Sequence, residues 1–154
     1  MTATPRPTGA PPRLLDCPLM GDWTVERTIE DRLSGRPARF AGTARIAPAP
    51  GGDHLDWREK GHLESAAFTG RATRDMRIVV EGAAFAVLFA DGRPFHPLDL
   101  TGGRCTVVHP CGDDRYEGDL ALADGGAILT VRWRVTGPAK DLDIRSRYTR
   151  TPVA

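Results

Sequence analysis

The chain has no long apolar run, and this absence excludes two classes of segment, a membrane-spanning helix and a secretory signal. Aromatic residues are also few, at 6% of the 154 residues. No apolar stretch approaches the roughly 20 residues that a membrane-spanning helix needs. The first 21 residues also lack the 7–15-residue apolar core of a secretory signal. We therefore predict a cytoplasmic protein without a membrane partner.

Cysteine and excess charge are equally scarce. The only cysteines are Cys17, Cys105 and Cys111, an odd number that does not indicate a disulfide framework. The 21 basic and 20 acidic residues nearly cancel. This balance disfavours nucleic-acid binding by a net basic surface, and we predict no nucleic-acid partner.

The chain divides into a short tail and one domain. Residues 1–13 contain four prolines and no periodic apolar pattern, which predicts a disordered tail. Residues 14–154 fit one domain with a single core. Residues Leu14 to Met20 predict a short helical turn that Pro18 limits in length.

From Gly21 onward the apolar residues recur with a period of two, which is typical of strands. Asp91-Gly92 and Asp124-Gly125 predict hairpin turns, and Gly51-Gly52 and Gly102-Gly103 predict loops. The predicted strands are Gly21–Ile29, Arg39–Ala47, His54–Gly61, Leu63–Ala72, Met76–Glu81, Phe85–Phe89, Phe95–Leu100, Cys105–His109, 115–122, 129–136 and 142–150.

Many short strands with one apolar face predict an all-β fold. We expect a closed antiparallel up-and-down barrel of eight to ten strands, because closure removes exposed sheet edges. A β-sandwich is the alternative. Trp23, Trp57 and Trp133 share a face with aliphatic neighbours, so all three should point inward.

Several polar residues fall on the apolar face of these strands. A buried charge is costly unless it is paired, so Arg27 and Glu59 should interact across the interior. This pair either sets the charge of a pocket or is a structural salt bridge. The polar residues predicted to face inward are Arg27, Glu59, His109, Cys111, Tyr116, Tyr148 and Arg150.

Two further runs carry polar groups of interest. His109 and Cys111 stand at i and i+2 on one strand face, which suits half of a metal site, a nucleophilic thiol beside a base, or an inert core pair. Two ligands do not make a metal site, and we predict no metal and no cofactor. Arg93 and His96 follow the Asp91-Gly92 turn, where barrel loops usually carry function.

These residues resemble the domain of unknown function 6314 family, over about residues 15–150. That family brings no established activity. The matching pieces are Gly21-Asp22-Trp23 through Arg27, Glu59-Lys60-Gly61, the segment from Phe89 to His96, His109-Pro110-Cys111 with Asp114 and Tyr116, the segment from Trp133 to Asp141, and Tyr148 with Arg150.

More loosely, the chain is similar to the calycin barrels, which include lipocalins, fatty-acid-binding proteins and nitrobindins. The resemblance implies that Arg150 or Arg147 stacks against Trp23 of the Gly-x-Trp strand. The likeness to nitrobindins suggests haem binding through His109 or His96. Val25 and Arg27, however, occupy the positions where nitrobindins have glycines.

The interior polar group leads to three hypotheses. The first is a binding protein for a small, partly polar or anionic ligand, held by Arg27, Glu59, Arg93, His96, His109, Cys111, Tyr116, Tyr148 and Arg150. The second is an enzyme with His109 as base and Tyr116 or Glu59 as acid. The third is a structural interaction domain with a filled core. The sequence does not predict an oligomeric state.

Overall fold

The computed structural model describes residues 10–152. Most of the predicted tail, residues 1–9, lies outside the described residues. The predicted helical turn is confirmed as a 3₁₀ turn over Leu14–Asp16. In the described part of the chain, no helix is long and apolar enough to cross a membrane.

Ten strands and a second 3₁₀ turn, Asp124–Gly126, make up the rest of the described fold, and every neighbouring pair of strands is antiparallel. They are β1 (Gly21–Asp31), β2 (Pro37–Pro48), β3 (Leu55–Glu64), β4 (Thr69–Glu81), β5 (Ala84–Phe89), β6 (Pro94–Leu98), β7 (Arg104–Cys111), β8 (Asp114–Ala123), β9 (Ile128–Gly137) and β10 (Lys140–Arg150). All four predicted glycine turns connect strands.

The strand order is β6-β5-β4-β3-β2-β1-β10-β9-β8-β7, so the predicted up-and-down barrel is confirmed. Strands β6 and β7 lie side by side but share no hydrogen-bonded ladder, which leaves a seam in a nearly closed barrel. Pro97 explains part of the gap. It lies opposite Ala86 of β5 and has no N–H to offer β7.

One strand boundary was predicted wrongly. Leu63–Ala72 is not a strand, and Met76–Glu81 is only the second half of one. β3 continues to Glu64, the chain turns, and β4 then runs unbroken from Thr69. The turn is fixed by Ser65, whose hydroxyl donates to the Phe68 carbonyl and accepts from the Phe68 N–H. Its sequence, Ser-Ala-Ala-Phe, contains no glycine or proline to announce it.

The core follows the predicted alternation. Trp23, Trp57 and Trp133 are buried, which confirms that all three point inward. Buried leucine, isoleucine and valine from β1, β3, β4, β8 and β9 surround them. The interior is therefore a packed apolar core in which polar residues are exceptions that need partners.

One end of the barrel is covered by the segment before β1. The indole N–H of Trp23 donates to the Leu19 carbonyl at 2.9 Å. The Arg150 guanidinium lies 4.1 Å above the Trp23 ring and donates to the carbonyls of Met20 and Pro18. The implied stacking partner of Trp23 is thus Arg150. Its donors close this end of the barrel, so Arg150 is not free to bind a ligand.

The other end of the barrel, which we call the mouth, carries the turns after β1, β3, β5, β7 and β9. It follows from the antiparallel order that these five turns share one end, because β1 runs away from the covered end. Most of the inward polar residues other than Arg150 lie between the middle of the barrel and this mouth, whereas Tyr148, opposite Val25 of β1, lies nearer the covered end.

Gly118 offers a test of the packing. A Cβ added at Gly118 would lie 2.6 Å from the Trp133 ring. Gly118→Ala should therefore displace that ring and lower the free energy of unfolding by about 1–3 kcal/mol. Urea unfolding and near-ultraviolet circular dichroism measure both effects. Gly102→Ala is the matched control, since no heavy atom lies within 4 Å of its added Cβ. Equal effects of the two changes would contradict this packing.

Candidate ligand-binding site

Arg27 and Glu59 form an ion pair inside the barrel. Arg27 Nη2 lies 2.8 Å from Glu59 Oε1, and both residues are buried. Arg27 Nε also donates to Ser146 Oγ at 2.7 Å, and its guanidinium lies 5.1 Å from the centre of the Phe40 ring. The predicted contact is confirmed, and with it the alternation that places both side chains inside.

Glu59 receives more donors than Arg27 alone supplies. The Trp57 indole N–H donates to Oε2 at 3.0 Å, and the Tyr148 hydroxyl donates to the same oxygen. Arg74 adds a second guanidinium, with Nε 3.3 Å from Oε1. Two guanidinium groups, one hydroxyl and one indole therefore surround a single carboxylate, and we call these five residues the carboxylate cradle.

The surroundings of Glu59 keep it ionised. Burial raises the pKa of its carboxyl group, but Arg74, Arg27 and the Tyr148 hydrogen bond outweigh burial and hold the pKa below its ordinary value. Burial and the Glu59 charge raise the pKa of Tyr148, so this hydroxyl stays neutral and donates. One carboxylate thus faces two cations, and the cradle carries a net charge of +1.

Arg74 was not predicted as an inward residue. It fell between the two wrongly predicted strands and was assigned to neither face. In β4 it shares the inward face with Met76 and Ile78, which are buried. The sequence pattern could have predicted this, because position 74 is two residues before Met76 and therefore lies on the same strand face. The Arg74 side chain is 42% exposed, so it joins the cradle to the space above it.

A cavity of about 170 Å³ opens above the cradle. Within the described residues, no group accepts a hydrogen bond from Nη1 of Arg27 or of Arg74. Both arginines line the cavity, together with apolar neighbours. The full lining is Arg27, Ile29, Phe40, Glu59, Leu63, Ala72, Thr73 and Arg74.

An aromatic cluster fills the mouth side of the seam. Phe89, Phe95 and Trp133 form a continuous stack with centroid separations of 4.4 and 5.0 Å. His109 meets the edge of this stack at 5.3 Å from Phe95, and Tyr116 meets Trp133 at 6.4 Å. Side-chain packing thus joins β5 and β6 to β7, β8 and β9 where the backbone ladder is missing.

His96 belongs to the wall and not to a mouth loop as predicted. It lies in β6, is 7% exposed, and its Nδ1–H donates to the Pro97 carbonyl at 2.7 Å. Burial lowers its pKa, and the nearby His109 and Arg74 lower it further against the opposing effect of the Pro97 bond. The strand predicted over Phe95–Leu100 is observed over Pro94–Leu98, so His96 lies within a strand and not in the loop at the mouth.

This depressed pKa predicts a pH dependence of stability. The unfolded chain binds a proton at His96 below about pH 6.5, whereas the folded chain resists it. Stability should therefore fall as pH drops from about 6.5 towards the folded pKa, by at most about 1.4 kcal/mol per pH unit. Urea unfolding between pH 7.5 and 5.5 should show this slope reduced in His96→Gln. Exposed His62→Gln is the control, and an unchanged slope in His96→Gln would refute the assignment.

His109 and Tyr116 face each other across β7 and β8 without a hydrogen bond. Their rings are 5.9 Å apart. The Tyr116 hydroxyl lies 3.5 Å from Lys140 Nζ, which is in turn 3.1 Å from Asp114. No hydrogen bond joins His109 to Tyr116 or Glu59 among the described residues. The structure therefore does not assemble the base–acid pair of the enzyme hypothesis.

Two predicted site residues lie outside the interior. Cys111 is exposed, because it ends β7 at the mouth. Alternation predicts which face of the sheet a side chain lies on, but not how close the residue is to the end of its strand. Arg93 is also exposed and pairs with Asp91 at 2.7 Å. Its guanidinium lies 5.6 Å from the Phe89 ring, so it flanks the aromatic cluster from outside.

The donors for a metal ion are dispersed. In the described part of the chain, no three His, Cys, Asp or Glu side chains lie close enough together to hold a metal ion. The three cysteines are free thiols. The absence of bound metal stays a prediction that elemental analysis of purified protein would check.

The family model of DUF6314, a family of unknown function, matches residues 19–150. The chain belongs to this family. The match includes the whole cradle, the cavity and the aromatic cluster. No curated protein sequence matches the chain.

Solved structures show the same kind of fold. The chain is similar to the S-type phycobiliprotein lyase CPES from Guillardia theta, with a TM-score of 0.61 and 8% identity over 89% of this chain and 90% of that one. A DUF3598 protein of unknown function from Nostoc punctiforme aligns with a TM-score of 0.44 and 12% identity, over 92% of this chain and 51% of that one. The first likeness supports the barrel architecture.

Proposed function

We propose that this member of the DUF6314 family binds a small organic anion in the mouth half of its barrel. The observation that carries the proposal is the unequal charge of the cradle. Arg27 and Arg74 face one carboxylate, Glu59. Among the described residues, no group accepts a hydrogen bond from their Nη1 atoms. A second carboxylate, supplied by a ligand, would satisfy these donors and neutralise the remaining charge.

The size of the cavity limits the part of the ligand that enters it. A cavity of about 170 Å³ is close to the roughly 150 Å³ that holds a benzene ring. Phe40, Leu63 and Ile29 give it apolar walls. We therefore expect a carboxylate on a small aromatic ring or on a short aliphatic chain, or the acidic end of a larger molecule that extends towards the mouth.

The phycobiliprotein lyase neighbour is compatible with a small-molecule site in such a barrel. At 8% identity it supports no particular ligand. The enzyme hypothesis lacks its hydrogen-bonded base and acid. The haem hypothesis gains no support from His96. Its Nδ1–H donates a hydrogen bond to the Pro97 carbonyl, and its ring centroid lies 5.3 Å from that of Trp133. A cytoplasmic location remains part of the proposal.

Thermal unfolding with matched acid and amide pairs tests this function. Benzoate with benzamide and hexanoate with hexanamide differ mainly in charge, so a site built on two arginines should prefer each acid. At about 100 times its dissociation constant, an acid should raise the melting temperature by about 5–10 °C. Equal shifts for acid and amide, or no shift with any carboxylate in a broad panel that includes haem, would overturn the proposal.

A further inference from the structure

Two turns at the mouth present apolar side chains to solvent. Leu33, in the turn between β1 and β2, is 63% exposed, and Phe68, in the turn between β3 and β4, is 50% exposed. The turns are neighbours because β1 to β4 are adjacent in the sheet. Both contribute to a crevice of about 600 Å³ beside the mouth. We call residues 32–36 and 65–68 the mouth rim.

The mouth rim contains two arginines, Arg32 and Arg36, and no acidic residue. Arg36 has no ion pair among the described residues, and the nearest carboxylate to Arg32, that of Asp143, is 3.9 Å away. The carboxylate of Asp31, just before the rim, instead accepts the backbone N–H groups of Leu33 and Ser34. The tip of the rim therefore combines exposed apolar groups with positive charge.

The other acidic residues next to the rim belong to strands. Glu30 is opposite Pro37 on β1 and β2, and Glu64, the last residue of β3, is opposite Arg39 of β2. Leu33, Phe68 and the two rim arginines belong to the turns themselves, so the turns carry apolar and basic side chains without an acidic residue.

We propose that the mouth rim docks on a lipid surface that carries anionic headgroups. Leu33 and Phe68 enter the interface, and Arg32 and Arg36 contact the headgroups. A protein partner fits less well, because a stable protein interface buries about 1,200–2,000 Å² and the rim offers only two large apolar side chains on separate turns. The prediction of no membrane partner rested on the lack of a spanning segment, and peripheral docking needs none. This inference does not depend on the ligand.

Flotation of the full chain with vesicles tests the inference. Wild type should bind vesicles of phosphatidylcholine with roughly one-third phosphatidylglycerol, and not phosphatidylcholine alone. Raising salt from about 0.1 to about 1 M should release it, because the headgroup attraction is screened. Leu33→Ser with Phe68→Ser should weaken binding by about tenfold or more. Arg36→Gln should weaken it about fivefold.

Matched controls lie elsewhere on the surface. Leu15→Ser with Val108→Ser removes equally exposed apolar groups away from the mouth rim. Arg45→Gln removes an exposed arginine near the covered end. Both controls should bind like wild type. Absence of vesicle binding, equal binding to neutral vesicles, or equal losses in the controls would overturn the inference. Binding of an acidic protein to the mouth rim, without binding of vesicles, would also overturn the inference.

Discussion

Replacing Glu59 with glutamine should lower the free energy of unfolding by about 3–5 kcal/mol. The change leaves Arg27 buried beside Arg74 without the carboxylate that both guanidinium groups contact. It also removes the charged acceptor of the Tyr148 hydroxyl and the Trp57 indole. Urea unfolding at pH 7.5 measures the loss.

Glu117→Gln is the matched control for that change. Glu117 also pairs with an arginine, Arg115, at 2.6 Å, but both side chains are more than half exposed. An exposed pair contributes at most about 1 kcal/mol. If Glu59→Gln cost no more than Glu117→Gln, the cradle would not be the buried charged centre described above.

The double change Arg27→Met with Glu59→Gln separates structure from function. It removes the buried cation together with its partner, so it should restore much of the stability lost in Glu59→Gln alone. The folded product should bind benzoate at least about tenfold more weakly than wild type, because Arg27 no longer donates to the ligand and only Arg74 remains. A double variant that binds benzoate like wild type would show that the ion pair is only structural.

Arg74→Met should weaken benzoate binding by about 10–150-fold, the range expected for the loss of charge-assisted hydrogen bonds. Its stability should change far less than that of Glu59→Gln, because Glu59 keeps Arg27, Trp57 and Tyr148 as partners. Isothermal titration calorimetry measures the affinity, and urea unfolding measures the stability.

Arg45→Met is the control for Arg74→Met. Arg45 is an arginine on the outer wall, 75% exposed and 3.8 Å from Asp22, far along β2 from the mouth. It should leave benzoate affinity unchanged. Equal affinity losses in the two variants would mean that total charge, and not the position of Arg74, sets the binding.

Alternation along the strands was sufficient to predict the fold and the inward direction of four of the five cradle residues. Trp23, Val25 and Arg27 share one face of β1, and Leu55, Trp57 and Glu59 share one face of β3, so a two-residue period fixes their direction. The high cost of an unpaired buried charge then predicts that Arg27 and Glu59 meet. Both arguments are local or pairwise, and both are available without a structure.

The features that the sequence did not reveal depend on where strands begin and end and on how far along a strand a residue lies. The Ser65–Phe68 turn has no glycine or proline, so β4 was predicted as two strands and Arg74 fell between them. Cys111 has the predicted face but lies at the end of its strand. Asp143 alternates with the core-packed Leu142 and Ile144, so alternation places it on the outer face, yet it is 2% exposed because Arg132 and Arg145 fold over it. Long side chains cover their neighbours in a way that alternation does not describe.

The most direct test of the proposed site is the preference for benzoate over benzamide, measured by calorimetry in wild type and in Arg74→Met. Wild type should prefer the acid by about tenfold or more, because only the carboxylate forms charge-assisted hydrogen bonds with the cradle arginines. In Arg74→Met the preference should fall by about 10–150-fold, the same factor as the benzoate affinity, with benzamide affinity nearly unchanged. A preference that is absent in wild type, or that persists in full without Arg74, would contradict an anion site at the cradle.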